Sequence, residues 1–298
     1  MKEDSKQNSL NDKTILSQEE ASNLAEELKQ TLKEGFRPEK DEKLIKKLIA
    51  GLGDNRGMLR RTFSESLGAI GPASIPELRE ALLKSPNVTT RRAAAKTLKL
   101  VGDPSALPDL LEALINDKDP VVQGSSAGAI AIFGEHAIEY FVRVLERPNS
   151  SEMQCGLARW GLSFIGAKGA NSLKEAALSK NPKVRASCIA ALGEQTQTLC
   201  DLQAKNIITN ALNDVSIEVQ IEAIRLIGAL NEEDWDLDLL ASKLSHINPQ
   251  VRKQTALSLM RLKASNQIER LRNSLLNEDD AEVINILELS IKVIKRNT

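Results

Sequence analysis

The sequence NPKVRASCIAALGE at 181–194 returns in a related form as NPQVRKQTALSLMRL at 248–262. In both copies apolar residues recur every three or four positions after the opening Asn-Pro, which is the pattern of an amphipathic helix. Pro suits the first helical turn, where its missing N–H is no loss, and the Asn before it can cap the helix. Similar starts occur as SPNV at 85–88 and DPVV at 119–122. The chain therefore repeats a helix that begins in one characteristic way.

The repeat has a period close to 32 residues. The second helix of four successive units ends on a glycine, with separations of 31, 32 and 32 residues: Gly71, Gly102, Gly134 and Gly166. Valines near the start of later second helices are 35, 32 and 32 residues apart: Val184, Val219, Val251 and Val283. A fixed period of this size is typical of a helical solenoid, in which each unit buries its apolar side on its neighbours.

The period divides the chain into an N-terminal helix and about eight helical hairpins. Residues 1–16 are polar and are predicted to be a disordered tail. Residues 17–35 are predicted to form a helix that Ser17 caps. The hairpins are predicted at 43–71, 74–102, 105–134, 135–166, 168–193, 202–230, 235–264 and 266–297. Residues 17–297 are therefore expected to form one all-α, right-handed solenoid domain, with an irregular stretch at 194–201.

The composition excludes several classes of function. Hydrophobic residues make up 41% of the chain, and 40 basic residues balance 41 acidic ones, which gives no general attraction to nucleic acid or anionic membranes. No run of 18 apolar residues occurs, so we expect a soluble, cytoplasmic protein. Three scattered cysteines and two histidines form no metal-binding spacing, and we expect neither a metal site nor a resident cofactor.

The middle of the chain departs from this average. Five of the eight aromatic residues fall within 133–164, namely Phe133, Tyr140, Phe141, Trp160 and Phe164. Glycine also interrupts two neighbouring second helices, although it costs about 1 kcal/mol relative to Ala inside a helix. These glycines are Gly124, Gly128, Gly156 and Gly161. Either the small residues form a pocket beside an aromatic wall, or glycine lets two helices approach closely while the aromatic rings fill the core.

A second feature is a column of side chains eleven residues before each closing glycine. It consists of Arg60, Arg91, Gln123 and Cys155, and Arg61 and Arg92 follow the two arginines directly. Second helices commonly line the concave face of such solenoids, where guanidinium groups can bind carboxylates through paired hydrogen bonds. Alternatively, each Arg pairs with a turn Asp of the next repeat.

The repeats resemble HEAT repeats, and in particular the short HEAT-like repeats known as PBS lyase repeats, over nearly the whole chain from about residue 43. The stretch EMQCGLARWGLSFIGAKGANSLKEAALSKNPKVRASCIAALGE at 152–194 resembles the E/F clan of cyanobacterial phycobilin lyases. The length and N-terminal helix are similar to those of phycoerythrobilin lyases. This resemblance implies attachment of a linear tetrapyrrole, expected to be phycoerythrobilin, to a cysteine of a phycobiliprotein subunit of phycoerythrin type. The bilin would be a substrate and not a cofactor.

The resemblance also suggests roles for the unusual residues. Aromatic faces can stack on the flat bilin and Arg can hold its propionates, so the candidate bilin-binding residues are Arg91, Arg159, Trp160, Gly124, Gly128, Gly156 and Cys155. A group that orients the partners or transfers a proton could come from Glu152, Tyr140 or His136. Structural alternatives stay open, because His136 can cap a repeat, while Tyr140 and Trp160 can face the core. A second possible function is that of a non-enzymatic adaptor or chaperone acting on phycobilisome proteins.

Overall fold

A computed structural model describes residues 16–193, 196–197, 200–230 and 235–296. All but one residue of the predicted disordered tail, 1–16, and four residues of the 194–201 stretch lie outside these ranges. The α-helices within them are α1 Gln18–Lys33, α2 Glu42–Gly51, α3 Gly57–Ile70, α4 Ile75–Lys84, α5 Val88–Val101, α6 Leu107–Asn116, α7 Pro120–Ala131, α8 Ile138–Glu146, α9 Glu152–Ile165, α10 Ala170–Ala176, α11 Pro182–Ala191, α12 Leu202–Ala211, α13 Ile217–Leu230, α14 Leu237–Ser242, α15 Pro249–Arg261, α16 Ile268–Leu276 and α17 Ala281–Arg296.

The helices after α1 pair as the eight predicted hairpins, from α2–α3 to α16–α17, and the described ranges contain no β-strand. Short 3-10 helices join several hairpins, at Gly71–Ser74, Pro104–Ala106, Gly134–Ala137, Gly166–Gly169 and Ser265–Gln267, and a further one lies between the two helices of the seventh hairpin, at Lys243–Ser245. The all-α solenoid class is confirmed, whereas the right-handed sense of the stack stays a prediction. None of the described helices is both long and apolar enough to cross a membrane.

The chain forms two compact units. That residues 17–297 form a single domain stays a prediction. The first unit holds the residues up to Tyr140 together with Ser150–Leu157, and the second holds Phe141–Asn149 and the residues from Ala158 on. In the first unit the second helices α3, α5 and α7 pack side by side in that order, and so do the first helices α2, α4 and α6. In the second unit α11, α13, α15 and α17 pack in the same serial way.

Helix ends follow the sequence signals closely. Ser17 caps α1 and forms the expected capping box with Glu20. The side chains of Asn87, Asp119, Asn181 and Asn248 accept the N–H two residues on, at 2.8–2.9 Å, and so cap second helices. The closing glycines have positive φ angles of 80°, 70°, 58° and 47°, at Gly71, Gly102, Gly134 and Gly166. Only glycine adopts this conformation without strain, which explains its recurrence at the end of these helices.

The fourth residue of most second helices closes its own hairpin. Its side chain donates a hydrogen bond to the backbone carbonyl six residues earlier, in the turn, over 2.5–3.0 Å; the donors are Arg60, Arg91, Gln123, Arg185, Gln220 and Arg252. Three of the arginines also form paired hydrogen bonds with an acid in the turn of the next repeat: Arg91 with Asp117, Arg185 with Asp214 and Arg252 with Glu278. We call this arrangement the turn ladder. The pairing of Arg with a turn acid of the next repeat is confirmed for Arg91, whereas Arg60 donates to the Asp54 carbonyl of its own turn.

The carboxylates of the turn ladder have lowered pKa values. The hydrogen bond from Arg185 is the main cause that lowers the pKa of Asp214, and Arg252 lowers the pKa of Glu278 in the same way. Burial tends to raise the pKa of Asp117, but the hydrogen bond from Arg91 and a backbone N–H outweigh it, so this pKa is lowered as well. A carboxyl with a lower pKa in the folded than in the unfolded state stabilises the fold above its ordinary pKa, and this stabilisation is lost as the pH falls.

Replacing Asp214 by Asn should lower the free energy of unfolding at pH 7 by about 1–3 kcal/mol, because a half-buried charged hydrogen-bond pair is lost. As the pH falls from the ordinary Asp value of 3.8 toward the lower pKa in the fold, the wild type should lose stability and the difference from Asp214→Asn should shrink. Urea unfolding at several pH values measures both effects. Exposed Glu175→Gln is the control, and an equal effect of both changes would contradict the role of the ladder.

Candidate functional site

Three of the predicted site glycines form an open surface in the first unit. Gly124 and Gly128 are the fifth and ninth residues of α7, and Gly156 is the fifth residue of α9. A Cβ atom at Gly128 or Gly156 would meet no other atom within 4 Å, and one at Gly124 would meet only the Leu157 Cδ2 at 4.0 Å. Close helix approach is therefore the wrong explanation for these glycines. We call the three residues the glycine face.

Gly161, in the second unit, has the opposite environment. A Cβ atom there would overlap the ring of Phe141, which is fully buried. Here the absence of a side chain lets an aromatic ring of α8 pack against α9. The alternative of a core-filling aromatic residue is therefore correct for Phe141 and Gly161.

Trp160 and Phe164 lie one helical turn apart on α9 and remain accessible. Their side chains are 48% and 55% exposed, and their rings stack with centroids 5.4 Å apart and planes inclined by 29°. The interpretation of Trp160 as a core-facing residue is thus wrong. A pair of stacked, half-exposed rings in the second unit offers an apolar surface on which a flat ligand can pack.

Two of the predicted binding residues do not reach the surface. The Arg91 guanidinium binds Asp117 twice and the Ser85 carbonyl once, and the side chain is only 15% exposed. Cys155 is 2% exposed, so its thiol packs inside the repeat. Both are the fourth residue of a second helix, a position that faces the turn. Neither belongs to the candidate surface.

An exposed cationic group on α5, which we call the α5 cations, lies near the position expected for Arg91. It consists of Arg92, Lys96 and Lys99, and none of the three forms an ion pair with any residue of the described ranges. Arg92 and Lys96 are the fifth and ninth residues of α5, the same places that Gly124 and Gly128 occupy on α7. Because α5 packs beside α7, the α5 cations border the glycine face. Burial and then the charge of Arg92 lower the pKa of Lys96.

The candidate catalytic residues lie on the surface to different degrees. Glu152 is exposed at the start of α9, His136 is exposed in the 3-10 helix Gly134–Ala137, and Tyr140 is half-buried on α8. These three belong to the first unit, whereas Arg159, exposed on α9, belongs to the second. The grouping of the predicted site residues into a single site stays a prediction. Within the described ranges, no group of three His, Cys, Asp or Glu residues could hold a metal ion.

Gln154 has a structural role that the sequence analysis missed. It is 7% exposed, and its Nε2 donates hydrogen bonds to the carbonyls of Ile115 at 2.7 Å and Leu114 at 3.3 Å. Its Oε1 accepts the Ser151 N–H at 2.9 Å. Gln154 thus joins the fourth repeat to the third in place of the missing ladder residue at Cys155. The signal in the sequence was the Ser-x-x-Gln capping box at the start of α9.

The serial packing of short helical hairpins defines an α-solenoid, and its sequence matches the HEAT repeats over residues 45–131, 75–159 and 204–292. Bilin biosynthesis protein MpeU of Synechococcus sp. (strain WH8020) is 45% identical over 272 residues, which cover 91% of this chain and 92% of that protein. The chain therefore belongs to the HEAT-repeat proteins and, among them, to the family of MpeU.

Two further similarities are weaker. The uncharacterized phycocyanin operon protein Z of Pseudanabaena tenuis (strain PCC 7409) is 29% identical over 141 residues, which cover 45% of this chain and 70% of that protein. The crystal structure of Kap121p aligns with a TM-score of 0.50 and 13% identity, covering 94% of this chain and 42% of that one. The likeness to Kap121p shows the solenoid fold alone.

Two glycine substitutions should have opposite effects on stability. Gly128→Ala should raise the free energy of unfolding by about 0.5–1 kcal/mol, because the methyl group enters open space and Ala favours the helix. Gly161→Ala should lower it by about 1–3 kcal/mol, because Phe141 must move. Thermal and urea unfolding measure the difference. Destabilisation by both changes would mean that Gly128 is also closely packed.

Proposed function

We propose that this protein is a phycobilin lyase, which binds a linear tetrapyrrole and attaches it through a thioether bond to a cysteine of a phycobiliprotein subunit. The observation that carries this proposal is the 45% identity to a bilin biosynthesis protein along 91% of the chain. The finer parts of the proposal are phycoerythrobilin as the bilin, a phycoerythrin-type subunit as the acceptor, and the cytoplasm as the location.

The candidate surface has chemistry that suits such a substrate. A bilin is a long, flat conjugated molecule that carries two propionates. In the first unit, the glycine face offers an area without side chains. In the second unit, the exposed rings of Trp160 and Phe164 offer a surface for stacking. Arg159 adds an exposed positive charge on the same helix as these rings. These features support binding of a large planar anion in preference to a compact polar substrate.

The reaction adds the acceptor thiol across the ethylidene double bond of ring A. A bond forms between sulfur and the ethylidene carbon, and the thiol proton ends on the pyrrole system, so no further reactant is needed. The lyase contributes orientation of the two partners, which can account for much of the rate enhancement. Glu152, His136 and Tyr140 are the proposed groups for moving the proton.

The nucleophile in this scheme belongs to the acceptor and not to the lyase. Two of the cysteines, Cys155 and Cys188, are buried. Burial raises the pKa of the Cys188 thiol to about 12, which keeps it protonated and unreactive at neutral pH. The third cysteine, Cys200, is exposed and lies in the second unit.

Co-expression with bilin-synthesis enzymes and a phycoerythrin-type subunit tests the reaction. We expect a covalent adduct on the subunit, seen as a mass increase and as visible absorbance that survives denaturation, well above the lyase-free background. No adduct with any likely bilin and subunit, together with stable binding of the subunit, would favour the adaptor function.

Gly124→Leu should abolish most bilin binding, because the side chain would occupy the open glycine face. Gly124→Ala is the matched control and should bind nearly as well as the wild type. Circular dichroism should show normal helicity for both variants, and absorbance titration with phycoerythrobilin measures the affinity. Unchanged binding by folded Gly124→Leu would place the bilin elsewhere.

A further inference from the structure

We propose that the α5 cations, Arg92, Lys96 and Lys99, bind the two carboxylates of the linear tetrapyrrole as it lies on the glycine face. This inference rests on the proposed function and assigns a residue set to one part of its substrate. It replaces Arg91, whose guanidinium is fully used in the turn ladder.

The α5 cations differ from their neighbours in having no anionic partner. Arg61, which occupies on α3 the place of Arg92 on α5, forms an ion pair with Glu65 at 2.7 Å. The equivalent residue on α15, Lys253, pairs with Glu282. None of the acids in the described residues lies within ion-pair distance of the α5 cations. These three positive charges, on neighbouring turns of one helix, are therefore available to bind an anion from outside the chain.

The α5 cations lie beside the glycine face, which indicates where the rest of a bound anionic molecule would lie. Side chains four residues apart on a helix lie one above the other, so Arg92 and Lys96 form a vertical pair on α5. The residues at the same two places on the adjacent helix α7 are Gly124 and Gly128, which leave open space. The backbone of α7 beside Arg92 and Lys96 is therefore open to a ligand, since a Cβ atom at these glycines would have no neighbour closer than 4.0 Å. Leu100, which is 50% exposed, follows Lys96 one helical turn later on α5.

The local charge contrasts with the balanced charge of the whole chain, which is −1 at pH 7. Burial, followed by the neighbouring positive charges of Arg92, Arg60 and Lys99, lowers the pKa of Lys96. A bound dianion would remove this mutual repulsion and would favour the charged form of Lys96. The cluster is too small for a nucleic acid, which needs an extended basic surface. Its size suits two carboxylates on one small molecule.

The test compares phycoerythrobilin with its dimethyl ester, which has the same ring system without the carboxylates. The full-length wild type should bind the free acid about tenfold more tightly than the ester, and added salt should weaken only the free acid. In the double variant Arg92→Gln/Lys96→Gln, the free acid should bind about tenfold more weakly while the ester is unaffected. The double variant Lys180→Gln/Lys183→Gln removes the same charge from exposed lysines in the second unit and should retain the preference.

Three results would overturn the inference, and they can be told apart. Equal binding of acid and ester by the wild type would exclude carboxylate recognition and leave the lyase function standing. A folded Arg92→Gln/Lys96→Gln variant that binds bilin normally but loses the acceptor subunit would make the cluster a protein contact. Failure of the wild type to bind either bilin or to form an adduct would remove the proposed function and this inference with it. The ester comparison uses the wild type and does not depend on the folding of a variant.

Discussion

The hydrogen bond from the fourth residue of a second helix to the turn carbonyl six residues earlier is the contact on which the rest of the structure depends. It fixes six of the eight second helices against the end of their own first helix. At Arg91, Arg185 and Arg252 the side chain also joins the next repeat through a turn carboxylate. In α3 and α5 the fourth residue faces the turn, and the fifth and ninth residues, which we call the outward positions, are outside the core. The side chains of the turn ladder hold the solenoid together, and the side chains at the outward positions of the same helices are available to a ligand.

The ladder changes in the third and fourth repeats. Gln123 keeps the bond to the turn carbonyl, but its Oε1 accepts no hydrogen bond from the described residues. Cys155 cannot make either contact, and Gln154 joins the repeats instead. The same two repeats carry the glycine face, and each glycine inside a helix costs about 1 kcal/mol relative to Ala. In these two repeats, helix propensity and ladder contacts are both reduced where three of the four outward positions are glycine and the fourth is Trp160.

The period, the hairpins and the helix ends could be predicted from the sequence because their signals are local. An Asn or Asp before the helix caps it, and a glycine after it adopts positive φ, whatever the rest of the fold does. The choice between Arg91 and Arg92 could not be made in this way. The two residues differ by about 100° around the helix, and only the geometry of the turn shows that Arg91 is used internally. The sequence likewise could not distinguish Gly156 from Gly161. The ring of Phe141 fills the space beside Gly161, whereas the space beside Gly156 is open.

The central claim is that a linear tetrapyrrole lies on the outward positions of α5 and α7, and a structure of the full chain with bound phycoerythrobilin tests it most directly. The account predicts density for the bilin over Gly124 and Gly128, with its propionates at Arg92 and Lys96. The main alternative place is the open groove of about 1110 Å³ in the second unit, which Ile247 and Arg270 help to line. A bilin bound in that groove, with the glycine face empty, would contradict the account.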